Sequence, residues 1–313
     1  MLNLGAGIGV LALLWMTASL GAASATNDVR IRIVAANLTS GRDQSYSPDN
    51  GNHSNPEGAG ARILKGLQPD VVLIQEFNCT QSLSQWISQT LGPGYQYYRE
   101  EGAGIPNGII SRHTIAEAGE WDDETQGNRD FVWARIRLPN GSDLWAISVH
   151  LKAGNSEGIR RFQAVALIRF IRDRIPAEDY VVLGGDLNTS SRREACVEVL
   201  SQTFRTTGEP PGDQRGDDGT NASRRKPYDW LLADAELHPR MVPVQLGGDR
   251  FESGLVFDTR SFRPLSAVAP AQLGDSGVPN MQHMAVVKDF VIPATRPEGK
   301  PAPVRKPTPG RRD

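Results

Sequence analysis

Val181–Thr189 reads VVLGGDLNT, an apolar run that stops at two glycines and is followed by an Asp and an Asn two positions apart. The apolar residues are typical of a buried strand, and the glycines allow a turn and a close approach of the backbone. In an extended segment Asp186 and Asn188 lie on the same side, where they can orient a water, a metal ion or a phosphate. Because Asp and Asn are also ordinary turn residues, this segment alone favours a turn over a functional site.

The same pattern, a polar residue at the tip of an apolar run, occurs five more times in the chain. Three runs end in the polar residue: Ile31–Asn37 (IRIVAAN), Val71–Glu76 (VVLIQE) and Leu144–His150 (LWAISVH). Two runs begin with it: Asp229 in YDWLL and His283 in QHMAVVKDF. If these last two strands run antiparallel to the others, all six tips lie at one edge of the sheets. Tips of these residue types indicate a metal and phosphate site.

The ordered set of tips resembles the motifs of the endonuclease/exonuclease/phosphatase superfamily, which includes deoxyribonuclease I-like nucleases. The matching residues are Asn37, Glu76 (IQEF), His150 (SVHLK), Asp186 and Asn188 (GDLN), Asp229 (YDWLL) and His283 (QHMAVV). The segment Asn107–Ile115, NGIISRHTI, is similar to the Asn-Gly…Ser-Arg stretch of the family. The resemblance covers about residues 29–292. One position departs from it, since the family usually has Asp before the last His and this chain has Gln282.

Segments between the strands are predicted to be helices, with the bounds Pro56–Leu67, Gln81–Leu91, Ser156–Ile175 and Arg192–Leu200. The third has the clearest period, near 3.6, through Ile159, Phe162, Val165, Ala166, Ile168 and Arg169–Phe170. Gly208–Pro227 is polar and Gly-rich, and we expect a long loop near the site. Periodicity alone predicts a mixture of helices and strands. The resemblance implies an α/β (α+β) fold, a deoxyribonuclease I-like four-layer sandwich of two mixed β-sheets flanked by helices.

Length and composition agree with one catalytic domain between two terminal segments. The chain has 313 residues, of which 39% are hydrophobic and 22% charged, as in an ordinary soluble globular protein. Its net charge of −2 argues against a polycation built for nucleic acid, although a local basic groove is compatible with it. Residues 26–292 are predicted to form the catalytic domain, and the Pro-, Arg- and Lys-rich residues 293–313 a disordered tail.

Residues 1–25 are predicted to be a signal peptide. Leu2–Ala25 contains no charged residue, and Ala23–Ala25 fits the small-x-small cleavage rule, so the mature chain would begin near Thr26. A membrane anchor is the alternative, because the Lys/Arg-containing region that opens a signal peptide is missing. We therefore expect a secreted or periplasmic protein.

The chain contains two cysteines, Cys79 and Cys196. An exported protein is exposed to oxidising conditions, so the two would form one disulfide or remain two buried thiols. The sequence leaves both alternatives open.

Phosphodiester hydrolysis needs a metal ion to neutralise phosphate charge, an activated water and help for the leaving oxygen. The expected cofactor is Mg2+, or Mn2+ or Ca2+ in its place, because hard cations prefer carboxylate and amide oxygens. Glu76 is the best candidate metal ligand, and Asn37 would support it or contact phosphate. Gln282 would hold the metal more weakly than the family's Asp, because it keeps the oxygen and loses the charge.

The remaining tips are assigned to catalysis. Asp186 would orient or deprotonate the attacking water, and Asn188 would fix its geometry and donate to a phosphate oxygen. His283 and Asp229 are expected to form a dyad in which the carboxylate orients the imidazole and favours the imidazolium. That ring would bind a phosphate oxygen as the imidazolium or act as a base when neutral. His150 is a candidate acid for the leaving group or a phosphate contact.

Three further residues are candidate substrate contacts. Asn107 would touch phosphate, and Arg112 would do so or form a structural ion pair. Lys152 lies two positions after His150, on the same side of an extended chain, although a solvated surface lysine is the alternative. Three histidines match no motif and are predicted to be structural: His53, His113 and His238.

Three functions are compatible with this pattern. The first is a secreted metal-dependent phosphodiesterase, in particular an endonuclease, which acts as a monomer on a phosphodiester substrate with nucleic acid favoured. The second is a hydrolase of the same fold that acts on phospholipid or small phosphoesters, and the third is a catalytically dead binding module. The retained Glu, Asp, Asn and His tips argue against the third. Basic residues in Gly208–Pro227 favour nucleic acid, and acidic residues in the same loop weaken that preference.

Overall fold

The computed structural model describes residues 28–38, 58–79, 81–279 and 281–294. The predicted signal peptide, most of the predicted tail and His53 lie outside these residues. Within the described ranges, none of the helices combines the length and the apolar character that crossing a membrane requires.

The described residues form fourteen strands and four α-helices. The strands are β1 (Val29–Ala36), β2 (Val71–Ile74), β3 (Gln96–Arg99), β4 (Gly108–Ser111), β5 (Thr114–Trp121), β6 (Phe131–Arg137), β7 (Asp143–His150), β8 (Tyr180–Asp186), β9 (Asp229–Ala233), β10 (Met241–Val242), β11 (Val244–Leu246), β12 (Asp249–Phe251), β13 (Leu255–Phe257) and β14 (Ala285–Ile292). The helices are α1 (Ala59–Leu67), α2 (Leu83–Leu91), α3 (Glu157–Arg174) and α4 (Ala195–Leu200).

Twelve of these strands form two mixed sheets. The seven-stranded sheet has the order β10-β14-β1-β2-β4-β3, with β13 also paired to β14, and the five-stranded sheet has the order β5-β6-β7-β8-β9. β1 is parallel to β2 and β7 is parallel to β8. β14 is antiparallel to β1, and β9 is antiparallel to β8. β9 and β14 therefore run antiparallel to their neighbours. This is the orientation that places all six polar strand tips at one edge of the sheets.

Alternation along the strands produces three apolar layers. In β8, Val182 faces the other sheet, whereas Val181 and Leu183 face outward. The outward face of the seven-stranded sheet packs against α1 and α2, and that of the five-stranded sheet packs against α3 and α4. Each fully buried Val, Leu or Ile side chain contributes roughly 1.5–3 kcal/mol to such a core. The result is a four-layer sandwich of two mixed sheets flanked by helices, and the predicted fold is confirmed.

The third predicted helix is present as α3, and its apolar residues divide between an exposed row and a partly buried set, Ala166, Ile168 and Phe170, that packs against the core. Ile159, Phe162 and Val165 are 37%, 63% and 46% exposed. The buried face includes Arg160 and Gln163 together with apolar side chains. A long-range ion pair explains why this face of α3 is buried.

Arg160 is 2% exposed and lies 2.7 Å from Glu194, which comes 34 residues later in the chain. Its Nη1 also donates to the carbonyls of Lys152 and Gly154, each at 2.9 Å. The buried guanidinium is thus fully paired, and its desolvation is compensated. Because Glu194 precedes α4, this ion pair also ties α3 to α4.

Cys79 and Cys196 are both free thiols. Cys79 packs against the core under α1 and α2, and Cys196 is buried in the core under α3 and α4. Burial raises the pKa of Cys196 to about 11, so this thiol is neutral and unreactive at neutral pH. The structure therefore contains two free thiols and not the disulfide between Cys79 and Cys196.

Candidate active site

The polar tips meet at one edge of the two sheets. β7 and β8 end together, with His150 opposite Asp186. β9 begins where β8 ends, with Asp229 opposite Asp186. The parallel strands β1 and β2 of the other sheet end in Asn37 and Glu76, and side-chain contacts join them to Asp186.

Asp186 lies at the centre of this cluster and is 1% exposed. Its Oδ2 lies 3.2 Å from Nε2 of His150 and 3.6 Å from Nε2 of His283. The same oxygen accepts hydrogen bonds from Nδ2 of Asn37 at 3.2 Å and Nδ2 of Asn188 at 3.0 Å. Its Oδ1 accepts the backbone N–H of Asn188 at 2.8 Å. The carboxylate is therefore fixed in position by both sheets.

The charge of Asp186 follows from these neighbours. Burial disfavours the carboxylate, but His283 and His150 outweigh burial and hold the pKa at about 2. A group with so low a pKa is a weak proton acceptor at neutral pH. Of the two roles expected for Asp186, the geometry favours orienting a water over deprotonating it.

His283 and Asp229 form the expected dyad. Nδ1 of His283 lies 2.9 Å from Oδ2 of Asp229, and both side chains are buried. Burial lowers the pKa of His283, but Asp229 and Asp186 outweigh it and raise the pKa to about 9. Burial also raises the pKa of Asp229, and the charge of His283 limits that rise to about 6. At neutral pH the pair is therefore a carboxylate and an imidazolium, which favours phosphate binding over proton abstraction.

His150 is the second imidazole of the site and is 6% exposed. Its Nε2 is engaged by Asp186, whereas its Nδ1 is buried without a hydrogen-bond partner among the described residues. The nearest carboxylate oxygen to Nδ1 is Oε1 of Glu76, at 3.9 Å, which is beyond hydrogen-bond distance. Glu76 is therefore the acidic neighbour of this buried nitrogen.

Glu76 and Asn37 provide oxygen ligands beside Asp186. Oε1 of Glu76 accepts from Nδ2 of Asn37 at 3.3 Å, and Oδ1 of Asn37 is buried without a partner among the described residues. A buried acceptor with no donor is suited to contact a cation or a water. The carboxylates of Asp186 and Asp229 also have oxygens within 4.8 Å of each other, beside the imidazolium of His283. This donor set, rich in oxygen and carboxylate, fits a hard divalent cation.

Unusual backbone angles position two of these side chains. Glu76 has φ of 50° and Asn188 has φ of 52°, both in the left-handed region that side chains other than glycine rarely adopt. Such conformations persist only where the surrounding contacts impose them, and they are frequent at functional sites. The turns that follow β2 and β8 therefore aim their polar residues at the shared edge.

Gly185 explains one of the two glycines in VVLGGDLNT. It has φ of 138°, and a Cβ there would lie 2.0 Å from the carbonyl oxygen of Val149 and 2.7 Å from Nε2 of Gln75. No side chain fits in that space. Gln75 in turn donates to Oγ of Ser148 at 2.8 Å across the two sheets, so the glycine allows the contact that joins the sheets below the site.

The candidate substrate contacts occupy different places. Asn107 precedes β4 beside the end of β2, and its Nδ2 donates to the carbonyl of Asp130 at 2.7 Å. Arg112 lies at the opposite end of the same strand, where it pairs with Asp70 at 3.1 Å. The structure thus does not bring Arg112 to the site, and its ion pair is structural. Lys152 is exposed just beyond β7.

Gln282 is exposed although it precedes the buried His283. Its carbonyl accepts the backbone N–H of Ala222 at 2.7 Å. This bond holds the loop Gly208–Pro227 against the segment that leads into β14. The described contacts of Glu76 and Asp186 do not include the Gln282 side chain. Its role as a metal ligand stays a prediction.

Sequence reasoning missed Arg129, which is 6% exposed behind His150. Its guanidinium donates to the carbonyl oxygens of His150 at 2.6 Å and Leu151 at 3.0 Å. Burial lowers the pKa of Arg129, and the charges of Asp186 and Glu76 act in the opposite direction. It therefore fixes the end of β7 and supplies positive charge beside the acidic residues. No motif in the sequence distinguishes it from a surface arginine.

Comparisons with known proteins give one family match. The model of the Endonuclease/Exonuclease/phosphatase family matches residues 50–251. No curated protein matches the chain.

Several solved structures share the fold. An endonuclease/exonuclease/phosphatase from Bacteroides vulgatus is 16% identical, with 84% of this chain and 99% of that chain covered and a TM-score of 0.56. TDP2 from D. rerio, complexed with a single-strand DNA product, is 15% identical, with 83% and 98% covered and a TM-score of 0.55. A functionally unknown conserved protein from Enterococcus faecalis is 12% identical, with 84% and 100% covered and a TM-score of 0.56. At such identities the likeness shows the fold alone.

Proposed function

The chain belongs to the Endonuclease/Exonuclease/phosphatase family, whose members are phosphoester hydrolases, and we propose that it is a divalent-metal-dependent phosphodiesterase that cleaves nucleic acid. One observation carries the proposal: the buried carboxylate of Asp186 lies between the imidazoles of His150 and His283. Such an arrangement can position a water and bind the phosphate that it attacks. The intact cluster argues against a catalytically dead binding module.

The residues of the site divide the work. The imidazolium of His283 and the amide of Asn188 would bind non-bridging phosphate oxygens, and Asp186 would orient the water for attack on phosphorus. His150 would donate a hydrogen bond or a proton to the leaving oxygen. Glu76 and Asn37 would hold Mg2+, Mn2+ or Ca2+, which would neutralise phosphate charge.

Nucleic acid is favoured because an aromatic ring and basic side chains adjoin the catalytic histidine. The ring of Tyr228 lies 5.7 Å from that of His283, and Nζ of Lys226 lies 5.8 Å from the Tyr228 ring. Arg225 beside them is exposed. Stacking rings with adjacent cations suit a single strand, the ligand of the D. rerio TDP2 structure. Arg224 does not contribute, because Asp213 pairs with it at 3.1 Å.

Phospholipid is the second candidate substrate. Ile159, Phe162 and Val165 form an exposed apolar row on α3, which follows β7 and His150 after a short loop. Exposed apolar residues of this kind can enter a lipid surface. This row is the specific observation that keeps a lipid hydrolase in consideration.

We expect the purified chain to nick supercoiled plasmid DNA in Mg2+, and to lose that activity in EDTA. The physical reason is that the oxygen ligands beside Asp186 need a cation before phosphate can approach them. Sphingomyelin vesicles and bis-(p-nitrophenyl) phosphate serve as parallel substrates. Hydrolysis of the vesicles without hydrolysis of the other substrates would contradict the nuclease and support the lipid hydrolase. Nicking that survives complete metal removal would contradict the metal dependence, and no hydrolysis by the folded chain would favour a binding module.

We further propose that the chain is exported and acts as a monomer without a stable protein partner. The uncharged Leu2–Ala25 segment supports export. Mass spectrometry of the exported protein is expected to find Thr26 at the amino terminus, because cleavage follows Ala25. Recovery of Met1 or Leu2 on the exported chain would contradict cleavage and favour the membrane anchor.

A further inference from the structure

A second concave site lies along β9, behind the active site. β9 is the edge strand of the five-stranded sheet, so backbone groups on its outer side are not used by that sheet. The cavity beside it has a volume of about 60 Å3, is partly open to solvent, and reaches from Trp230 on β9 to Lys288 on β14. Asp229, which orients His283 in the active site, also lines it.

Lys288 is the unusual residue of this cavity. It is 8% exposed, and it shares the inward face of β14 with the core residues Val286 and Phe290. Its aliphatic stem packs over Gly254, where an added Cβ would lie 2.9 Å from Cγ of Lys288. Among the described residues, no hydrogen bond or ion pair reaches its ammonium group. Lysine side chains are rarely buried to this extent, and the ammonium of this one reaches the cavity.

Several positively charged or basic side chains lie around Lys288. Arg192, Arg205 and His238 line the same cavity, against the acidic residues Glu209 and Asp229. Burial lowers the pKa of Lys288 to about 8, and Arg192 acts in the same direction. Burial also lowers the pKa of His238, with contributions from Lys288 and Arg205. The cationic side chains therefore repel one another, and an anion placed between them would relieve both the repulsion and the burial.

Two arginines flank the cavity, of which, among the described residues, Arg192 is paired and Arg205 is not. Arg192 is held by Asp218 at 2.8 Å, and its guanidinium lies 4.8 Å from the centre of the Trp230 ring. Arg205 is exposed, and its side chain has no partner within the described ranges. Thr206 and Thr207 add hydroxyl donors at the mouth. A compact ammonium, a planar guanidinium and hydroxyl groups together suit the oxygens of a tetrahedral anion.

We propose that this cavity is an oxyanion site that binds a phosphate group through Lys288, with Arg192 and Arg205 completing the positive wall. The site adjoins the catalytic cluster through Asp229 but does not depend on the proposed function. The phosphate has two sources, a free inorganic ion or a terminal phosphate carried by a bound nucleic acid. Both present the same tetrahedral group to Lys288.

The test is calorimetric titration with inorganic phosphate in EDTA, at ionic strength held constant with NaCl. A His283→Ala background removes phosphate binding at the catalytic cluster. In that background we expect saturable binding, weakened at least tenfold by Lys288→Met and unchanged by Lys65→Met, which makes the same change on α1. Absence of saturable binding, or equal affinity in the Lys288→Met variant, would overturn the proposal.

Thermal unfolding tests whether a loss of phosphate binding reflects a loss of folding. Without phosphate, Lys288→Met is expected to unfold at a higher temperature than the parent, because it removes the desolvation cost of the ammonium and keeps an apolar stem of similar length. Phosphate should raise the unfolding temperature of the parent and leave that of Lys288→Met unchanged. If that variant does not fold, Arg205→Ala, at an exposed position, is expected to weaken phosphate at least threefold, and unchanged affinity would refute the site.

Competition distinguishes the two sources of phosphate. A short oligonucleotide with a 5′-phosphate is compared with the same oligonucleotide without it. Displacement of inorganic phosphate only by the phosphorylated form supports a site for the phosphate of nucleic acid. Displacement by neither form, with inorganic phosphate still bound, supports a site for the free ion.

Discussion

The change Asp186→Asn is expected to lower kcat for phosphodiester hydrolysis by about 10³-fold, within the range of roughly 10²–10⁴ for loss of a positioned catalytic group. Asparagine keeps the size of the side chain and one acceptor oxygen but loses the negative charge. That charge lies 3.2 Å from His150 and 3.6 Å from His283, and it helps to raise the pKa of His283. Loss of the charge therefore weakens the positioned water and the imidazolium together.

Steady-state kinetics with bis-(p-nitrophenyl) phosphate, and plasmid nicking, measure this effect. KM should change less than kcat, because Asp186 acts on the water more than on the bound phosphate. Asp173→Asn is the matched control, since it makes the same chemical change in an exposed pair with Arg172 on α3. A loss smaller than tenfold in a folded Asp186→Asn variant would remove Asp186 from the centre of the mechanism.

The change Arg62→Leu is expected to lower the free energy of unfolding by about 3–5 kcal/mol, as for other buried ion pairs that lose one partner. Arg62 and Asp275 are 0% and 1% exposed. Nε of Arg62 donates to Oδ2 of Asp275 at 3.0 Å, and a second, shorter contact joins Nη2 to Oδ1. Among the described residues, leucine would leave the buried carboxylate of Asp275 with only the backbone N–H of Gln272, at 2.7 Å, as a donor.

Urea unfolding followed by circular dichroism gives the change in stability. The double variant Arg62→Leu with Asp275→Leu is expected to recover most of the loss, because no unpaired charge then remains in the core. Arg172→Leu, which removes an exposed partner, should leave the unfolding midpoint unchanged. A single Arg62→Leu variant within 1 kcal/mol of the parent would mean that Asp275 finds water or another partner.

The site was largely predictable because its residues lie at ends of apolar runs. Strand formation depends on local apolar patterning, and the polar residue after the run marks where the strand leaves the core. Asp186, His150 and Glu76 could therefore be selected from short segments. Arg129 could not, because its partners are the carbonyl groups of His150 and Leu151, and backbone carbonyls leave no mark in the sequence.

The helix α3 shows where apolar patterning misleads. Its period predicts a helix correctly, but the row with Ile159 and Phe162 is exposed. The buried face is decided by Arg160, whose partner Glu194 lies far along the chain. An arginine looks like a surface residue until its partner is known, because the cost of burying it depends on that pairing.

The sequence by itself determined the order of elements, the mixture of helix and strand, and the residue types that could hold a metal and a phosphate. These properties follow from local rules of period and turn chemistry. Only the tertiary structure decided that β9 and β14 run antiparallel to their neighbours, which places Asp229 and His283 beside Asp186. Only it turned Lys288 inward and left Arg112 at the far end of its strand. Strand direction and register depend on how distant segments share one core, and that information is not contained in any one segment.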